Sequence, residues 1–133
     1  MLRILTCLLL LWALSPSVHA DDFALRDGDK LVFLGDSITA ARGYSKLVEQ
    51  YTLLRYPDRK IRFLNAGQGG DTAYGCLQRL DRDVIDQGAT VVTVAFGIND
   101  IGWGTKADDE HRNRYLEGIR GIVERCQRRG IRV

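Results

Sequence analysis

The 133-residue chain lacks the compositional extremes that mark disordered, fibrous or polyanion-binding proteins. Its charges nearly cancel, with 19 Lys and Arg against 17 Asp and Glu, so the charge balance predicts no nucleic-acid surface. With 45% hydrophobic and 27% charged residues, it has the composition of an ordinary globular domain. The 2 histidines and 3 cysteines are too few and too scattered to predict a metal site. Neither an internal repeat nor a linker is visible, and the length allows one domain.

The longest apolar run lies near the N-terminus, at residues 4–14, and is too short to cross a membrane. A spanning helix needs about 20 apolar residues, whereas this run has about eleven. Arg3 precedes the run, and Val18 and Ala20 occupy the −3 and −1 positions of a secretory cleavage site. The pattern therefore predicts a signal peptide over residues 1–20 and an exported protein, periplasmic or secreted, without a membrane span after cleavage. An uncleaved anchor is the alternative.

The remaining residues, 21–133, form the predicted domain and alternate between strand and helix patterns. Strands are predicted at 30–34, 61–64 and 90–96, with a fourth beginning at 131–133; helices are predicted at 41–56, from Cys76 to a stop at Gly88, and at 107–129. Short loops between alternating strands and helices favour right-handed crossovers. We therefore predict an α/β fold with a parallel sheet and helices on both faces.

Polar and small residues follow each of the three predicted strands. They are Gly35-Asp36-Ser37, residues 67–72 and Gly97-Ile98-Asn99-Asp100. Such residues also form ordinary turns and helix caps, so one loop alone predicts little. Because the carboxyl ends of parallel strands meet at one edge of the sheet, where ligands bind, the three loops together predict a site.

These blocks resemble the first three sequence blocks of the SGNH (GDSL-type) hydrolases. The match consists of Gly35-Asp36-Ser37, Gly70-Asp71 and Gly97-Ile98-Asn99-Asp100, each just after its strand. The resemblance implies a flavodoxin-like, doubly wound α/β sheet, incomplete at the C-terminus. It also implies a serine esterase or lipase that needs no cofactor or metal. Its partner would be a small-molecule ester, an acetylated carbohydrate or a small lipid ester; the oligomeric state stays open.

The resemblance also assigns roles to individual residues. Ser37 would attack the ester carbonyl and form an acyl-enzyme intermediate. The main-chain N–H groups of Ser37 and Gly70 and the side-chain amide of Asn99 would stabilise the oxyanion. A glycine suits that role because the main chain can approach the oxygen without a Cβ in the way. We expect Asp36 and Asp100 to tie the loops together by hydrogen bonds to main-chain groups.

The general base of the family is a histidine three residues after an aspartate, near the C-terminus, and nothing in this sequence follows Val133. Asp108 and His111 have that spacing, but they lie in the first turn of a predicted helix, where acidic residues complement the helix dipole. We therefore expect His111 to be a surface residue. The chain is interpreted as a truncated, inactive piece of a full enzyme, or else as a short protein without normal activity.

The sequence also bears on two alternative functions, nucleotide binding and non-catalytic carbohydrate binding. Residues 67–70 are glycine-rich, but Thr72 stands where a dinucleotide-binding motif needs its third glycine. A non-catalytic carbohydrate-binding module on the same fold remains the alternative to an esterase. Trp103 and Ile101, just after Asn99, could form an apolar wall for an acyl or sugar group. Cys76 and Cys126 are predicted to be free, buried thiols.

The signal-peptide assignment predicts the N-terminus of the exported protein. Cleavage after Ala20 would make Asp21 the first residue, because small residues stand at the −3 and −1 positions. Mass spectrometry of the exported protein checks this directly. Exported material that begins at Met1 would contradict the assignment.

Overall fold

The computed structural model describes residues 23–133, so the predicted signal peptide at residues 1–20 lies outside the described residues. In chain order the described strands and helices are β1 (Lys30–Gly35), α1 (Ser37–Ala40), α2 (Gly43–Arg55), β2 (Arg62–Gly67), β3 (Val91–Ala95) and α3 (Asp109–Arg128). Short helical turns of other types lie at Gly75–Gln78, Asp81–Ile85 and Gly102–Gly104.

The three strands form a parallel sheet in the order β2-β1-β3. Gly35, the last residue of β1, pairs with Gly67 on one side and with Ala95 on the other. The carboxyl ends of all three strands are therefore level at one edge. The predicted fourth strand has begun as a single parallel bridge between Arg132 and Val91. The order agrees with a flavodoxin-like sheet and confirms the predicted parallel α/β fold.

β1 is buried on both faces, which explains its nearly continuous apolar sequence. Val32 and Leu34 pack into one cluster with residues from the 75–85 segment and α3, while Leu31 and Phe33 pack into a second cluster on the other face. Each fully buried side chain of this size contributes about 1.5–3 kcal/mol to the free energy of unfolding. The prediction that both faces of the sheet are covered is confirmed.

The helix predicted at 41–56 is α2, and the short helix α1 precedes it, outside the predicted range. Arg42, between them, has a left-handed backbone with φ of 62°. The short helix α1 lies directly against the ends of the strands, because a Cβ added at Gly67 would stand 2.1 Å from the amide nitrogen of Ala40. At Gly35 an added Cβ would stand 2.1 Å from the Thr39 hydroxyl. Both glycines are therefore required for this close approach.

The prediction of a regular α-helix between Cys76 and Gly88 is wrong. The chain is helical there, but it begins as a 3₁₀ turn at Gly75–Gln78 and widens to a π turn at Asp81–Ile85. Arg79 lies at the change, where the buried face carries a charged side chain. The apolar spacing was read correctly, since Cys76, Leu80 and Val84 are fully buried.

The helix predicted at 107–129 is α3, with Asp108 as its N-cap. Ile122 and Cys126 face the core as predicted, but Leu116 is 45% exposed. Gly118 takes the buried position instead.

Cys126 and Cys76 are both free and buried, which confirms the prediction of two free, buried thiols. Burial raises the pKa of the Cys76 thiol to about 12 and also raises the pKa of Cys126.

Gly118 allows α3 to touch the main chain of the second loop. A Cβ at this position would lie 2.4 Å from the carbonyl carbon of Ala73 and from the nitrogen of Tyr74. We expect Gly118→Ala to lower the free energy of unfolding by about 1–3 kcal/mol, as overpacking does, despite the better helix propensity of alanine. Urea unfolding measures the change.

Gly121→Ala is the matched control, because Gly121 lies in the same helix and alanine improves the helix propensity there by the same amount. The Cβ it adds would meet only the flexible end of Leu77, at 3.0 Å. We expect that variant to be neutral, or more stable by up to about 1 kcal/mol. Equal effects at the two glycines would contradict the proposed main-chain contact at Gly118.

Candidate active site

The first loop holds Ser37 by a capped turn. The Asp36 side chain is 2% exposed, and its Oδ1 accepts a hydrogen bond from the Ile38 amide at 2.9 Å. Asp36 is the N-cap of α1, and such caps are worth about 0.5–2 kcal/mol. Ser37 begins α1 and is exposed to solvent. Asp36 thus bonds a main-chain amide as predicted, but within its own loop, so that it ties this loop to the others stays a prediction.

The second loop turns at Gly70, which has a φ of 75° in the left-handed region that favours glycine. Next to it, Asp71 Oδ1 accepts from the Thr72 amide at 2.8 Å. The Thr72 hydroxyl in turn accepts from the Gly75 amide at 3.0 Å. Gly70 is exposed, so its main chain is accessible to a ligand.

Asn99 and Asp100 join the third loop to the second. Asn99 Nδ2 donates to the main-chain oxygen of Asp71 at 2.8 Å. Asp100 Oδ1 accepts from the Ala73 amide at 3.0 Å, which confirms its predicted role. A carboxamide has two N–H donors, so one remains on Asn99 after the bond to Asp71. The side chain is therefore fixed and keeps a donor for a substrate oxygen.

The structure brings the predicted residues to one edge of the sheet but links them unequally. Asn99 contacts the Gly70-Asp71 loop directly, through the hydrogen bond to Asp71. Ser37 is linked to that loop through the strand ends, where the Gln68 amide donates to the Gly35 oxygen at 3.0 Å. That the three donors converge on one oxygen stays a prediction.

Sequence reasoning missed Arg79, which lies beneath this edge with its side chain 8% exposed. Its guanidinium contacts Asp71 at 2.7 Å and Asp83 at 2.9 Å. Burial would lower the pKa of Arg79, but the hydrogen bonds to the two carboxylates outweigh it and raise the pKa above its usual value. The available signal was an arginine within an apolar helical stripe, which alone does not say where the side chain points.

A cavity of about 200 Å³ opens beside Asn99, smaller than the roughly 300–1,000 Å³ of drug-sized sites. The residues that line it are mostly of polar types: Thr72, Tyr74, Asn99, Asp100, Gly102, Lys106, His111 and Arg114. The Arg114 guanidinium stacks over the Tyr74 ring, 4.7 Å from its centroid. Side chains that donate hydrogen bonds predominate here, which suits a ligand rich in oxygen atoms.

His111 lies closer to the site than expected from its place at a helix start. Its side chain is 31% exposed and lines the same cavity as Asn99. Its Nδ1 lies 2.7 Å from Oδ1 of Asp108, which also accepts from the His111 amide at 2.9 Å. These hydrogen bonds lower the pKa of Asp108, the one from the main-chain amide most. The expectation that His111 is an exposed surface residue is therefore wrong, because its side chain is partly buried and lines this cavity.

Trp103 lies in the turn after Asn99 and is 72% exposed. Its φ of 58° is in the left-handed region, which is uncommon for a residue with a side chain. The suggestion that it forms a wall for an acyl or sugar group stays a prediction.

Residues 23–133 contain no group of three or more His, Cys, Asp or Glu side chains placed to hold a metal ion. No helix in that part of the chain is long and apolar enough to cross a membrane.

Comparisons with known proteins agree on one family. A family model described as "GDSL-like Lipase/Acylhydrolase family" matches residues 33–133. An acetylxylan esterase of Geobacillus stearothermophilus is 34% identical over 89 residues, 56% of this chain and 41% of that protein. An uncharacterized lipoprotein, YqeF, of Bacillus subtilis (strain 168) is 29% identical over 114 residues, 80% of this chain and 47% of that protein. The chain thus spans about half the length of these relatives.

Solved structures give the same result. A crystal structure of Axe2, an acetylxylan esterase from Geobacillus stearothermophilus, superimposes with a TM-score of 0.70 at 27% identity. The match covers 79% of this chain and 57% of that one. The solved forms of that enzyme include catalytic mutants with a serine, an aspartate or a histidine replaced by alanine. The similarity confirms the α/β fold of the family.

The raised pKa of Asp100 predicts that the free energy of unfolding depends on pH. Burial raises its pKa above the ordinary 3.8, although hydrogen bonds from main-chain amides, Ala73 among them, offset part of the effect. A carboxyl with a raised folded-state pKa adds stability below its ordinary pKa and loses that contribution as the pH rises through the folded value. As the pH rises through the folded-state pKa of Asp100, we expect the free energy of unfolding of the parent to fall relative to that of Asp100→Asn, which cannot titrate at this position. Urea unfolding at several pH values measures it.

A difference between the parent and Asp100→Asn that stays constant from about pH 3 to about pH 7 would contradict the raised pKa.

Proposed function

The chain belongs to the GDSL-like lipase/acylhydrolase family, and from this we propose that it carries the nucleophile and oxyanion hole of a serine esterase. Ser37 is the nucleophile; its own amide, the Gly70 amide and the Asn99 carboxamide are the oxyanion donors. The observation that supports this most is the hydrogen bond from Asn99 Nδ2 to the Asp71 oxygen, because it fixes one proposed donor beside another.

The proposed reaction has two stages. Ser37 Oγ attacks the ester carbonyl carbon, and the carbonyl oxygen takes up negative charge between the three donors. Collapse of this intermediate breaks the ester C–O bond; the alcohol leaves with the proton that the general base took from Ser37, and the acyl group stays on Ser37. Water, which gives a proton to the same base, then attacks the acyl carbon and releases the acid and the free serine. The free N–H of Asn99 suits this role because it is uncharged and needs no proton transfer to act.

The serine proton needs an acceptor, and we place this base outside residues 1–133. Asp108 and His111 have the family spacing, but they lie at the start of α3, where Asp108 acts as the N-cap. The relatives, of which this chain spans about half, include an enzyme whose catalytic mutants replace an aspartate and a histidine. The activity proposed is therefore that of the whole protein encoded by the complete gene.

For the substrate we propose an acetylated carbohydrate rather than a long-chain lipid ester. The cavity beside Asn99 has mostly polar side chains, which bind hydroxyl groups better than an alkyl chain. The similarity to an acetylxylan esterase supports the same class. Export is part of the proposal; the leader pattern and a relative described as a lipoprotein support it.

Ser37→Ala tests the nucleophile. We expect hydrolysis of p-nitrophenyl acetate by the protein from the complete gene to disappear, because no other group takes the acyl chain. Asn99→Ala should lower kcat by about 10²–10³-fold, the usual cost of one oxyanion donor. Ser45→Ala is the matched control, since the Ser45 hydroxyl is buried and contacts Asn65. Unchanged hydrolysis by Ser37→Ala would overturn the proposal.

His111→Ala separates the two possible sources of the base. We expect nearly the parental rate on p-nitrophenyl acetate, because the base lies elsewhere. A loss of about a thousandfold would instead assign the base to the Asp108–His111 pair. If the parent hydrolyses neither p-nitrophenyl acetate nor acetylated xylo-oligosaccharides but binds the latter, the carbohydrate-binding alternative holds.

A further inference from the structure

A single buried guanidinium connects the ends of two strands to the second loop. Arg79 donates to the main-chain oxygens of Gly35 at 3.1 Å and Ala66 at 2.9 Å. It also donates to the carboxylates of Asp71 at 2.7 Å and Asp83 at 2.9 Å. These contacts point in four directions from one planar group.

The atoms that Arg79 holds lie next to the proposed oxyanion donors. Gly35 stands two residues before Ser37 at the end of β1. Asp71 follows Gly70 directly, and its main-chain oxygen accepts the bond from Asn99. The guanidinium therefore has a short covalent or hydrogen-bonded path to each donor.

Packing holds the second loop only weakly. Gln68, Gly69 and Gly70 are exposed, and a Cβ added at either glycine would meet nothing within 4 Å. Hydrogen bonds must therefore fix the orientation of the Gly70 amide, and among them the bond between Arg79 and Asp71 joins two side chains that are each 8% exposed.

The residue type fits a positioning role better than a stabilising one. A buried ion pair is weak evidence of stability, since apolar residues of similar volume often stabilise as well or better. Arginine supplies five N–H donors in a rigid plane, and lysine offers a single charged point on a flexible stem. Only the arginine fork can hold two carboxylates and two carbonyl oxygens at once.

We propose that Arg79 is a positioning residue, which orients the Gly70 amide and, through Asp71, the Asn99 side chain for oxyanion binding. The inference rests on the function proposed above. Arg79 does not touch the substrate; it acts through the second loop.

A double-mutant cycle tests the inference with Arg79→Lys and Asn99→Ala. In the parent we expect Arg79→Lys to lower kcat on p-nitrophenyl acetate by about 10²-fold with little change in KM, as misplaced catalytic groups do. In the Asn99→Ala background the same substitution should cost less than about tenfold, because one donor it positions is absent. Equal factors in the two backgrounds, or an unchanged kcat in the parent, would overturn the inference.

Arg125→Lys is the matched control. Arg125 likewise joins a main-chain oxygen, that of Leu77 at 2.7 Å, to the carboxylate of Asp81 at 2.6 Å, but away from the three loops. We expect this variant to keep the parental kcat. A similar loss of kcat in both arginine variants would reduce Arg79 to a structural role. If Arg79→Lys does not fold, Asp71→Asn replaces it in the cycle, since it keeps the acceptor for the Thr72 amide and removes the charge.

The Asn99 side-chain amide gives a readout independent of turnover. We expect its NMR resonances to shift and its protons to exchange faster in Arg79→Lys than in Arg125→Lys. Unchanged resonances and exchange would overturn the positioning role. This measurement also separates the two proposals: an inactive parent whose Asn99 amide still responds to Arg79→Lys contradicts the esterase and retains the positioning.

Discussion

The arrangement depends on the close packing of the three strands at their carboxyl ends. Gly35 pairs with Gly67 and Ala95, and α1 rests on the two glycines with no room for a Cβ. Level strand ends bring three loops to one edge, and the tight contact with α1 fixes where Ser37 begins its helix. A side chain at either glycine would push α1 away and carry the serine with it.

Polar contacts, more than apolar packing, hold the loops above this edge. Asp36 caps the first loop, Asp100 accepts from the second, and Asn99 donates to it. Beneath them the buried Arg79 side chain donates to carbonyl oxygens and carboxylates, and charge-assisted hydrogen bonds at a buried group are stronger than in water. Such bonds specify direction as well as distance, so they fix how the loops are oriented relative to one another.

The chain's similarity to its relatives covers the part that carries these loops. It matches the family over residues 33–133, yet it spans about half the length of the acetylxylan esterase and lipoprotein compared with it. The polar cavity beside Asn99 and the Asp108–His111 contact lie at the start of α3, within the matched part. The proposed nucleophile and oxyanion donors all lie on these loops, so their roles can be tested separately from the source of the general base.

The sequence by itself determined the strand pattern, the parallel sheet and the main-chain hydrogen bond of Asp36, because apolar periodicity and cap chemistry are local. It did not predict the 3₁₀ and π turns at 75–85, the buried position of Gly118 or the half-buried His111. Above all it missed Arg79, because three of the four partners of this charged residue lie 8 to 44 residues away, and only Asp83 is within one helical turn. Only the tertiary structure brings those partners around one guanidinium, since long-range contacts leave no local pattern.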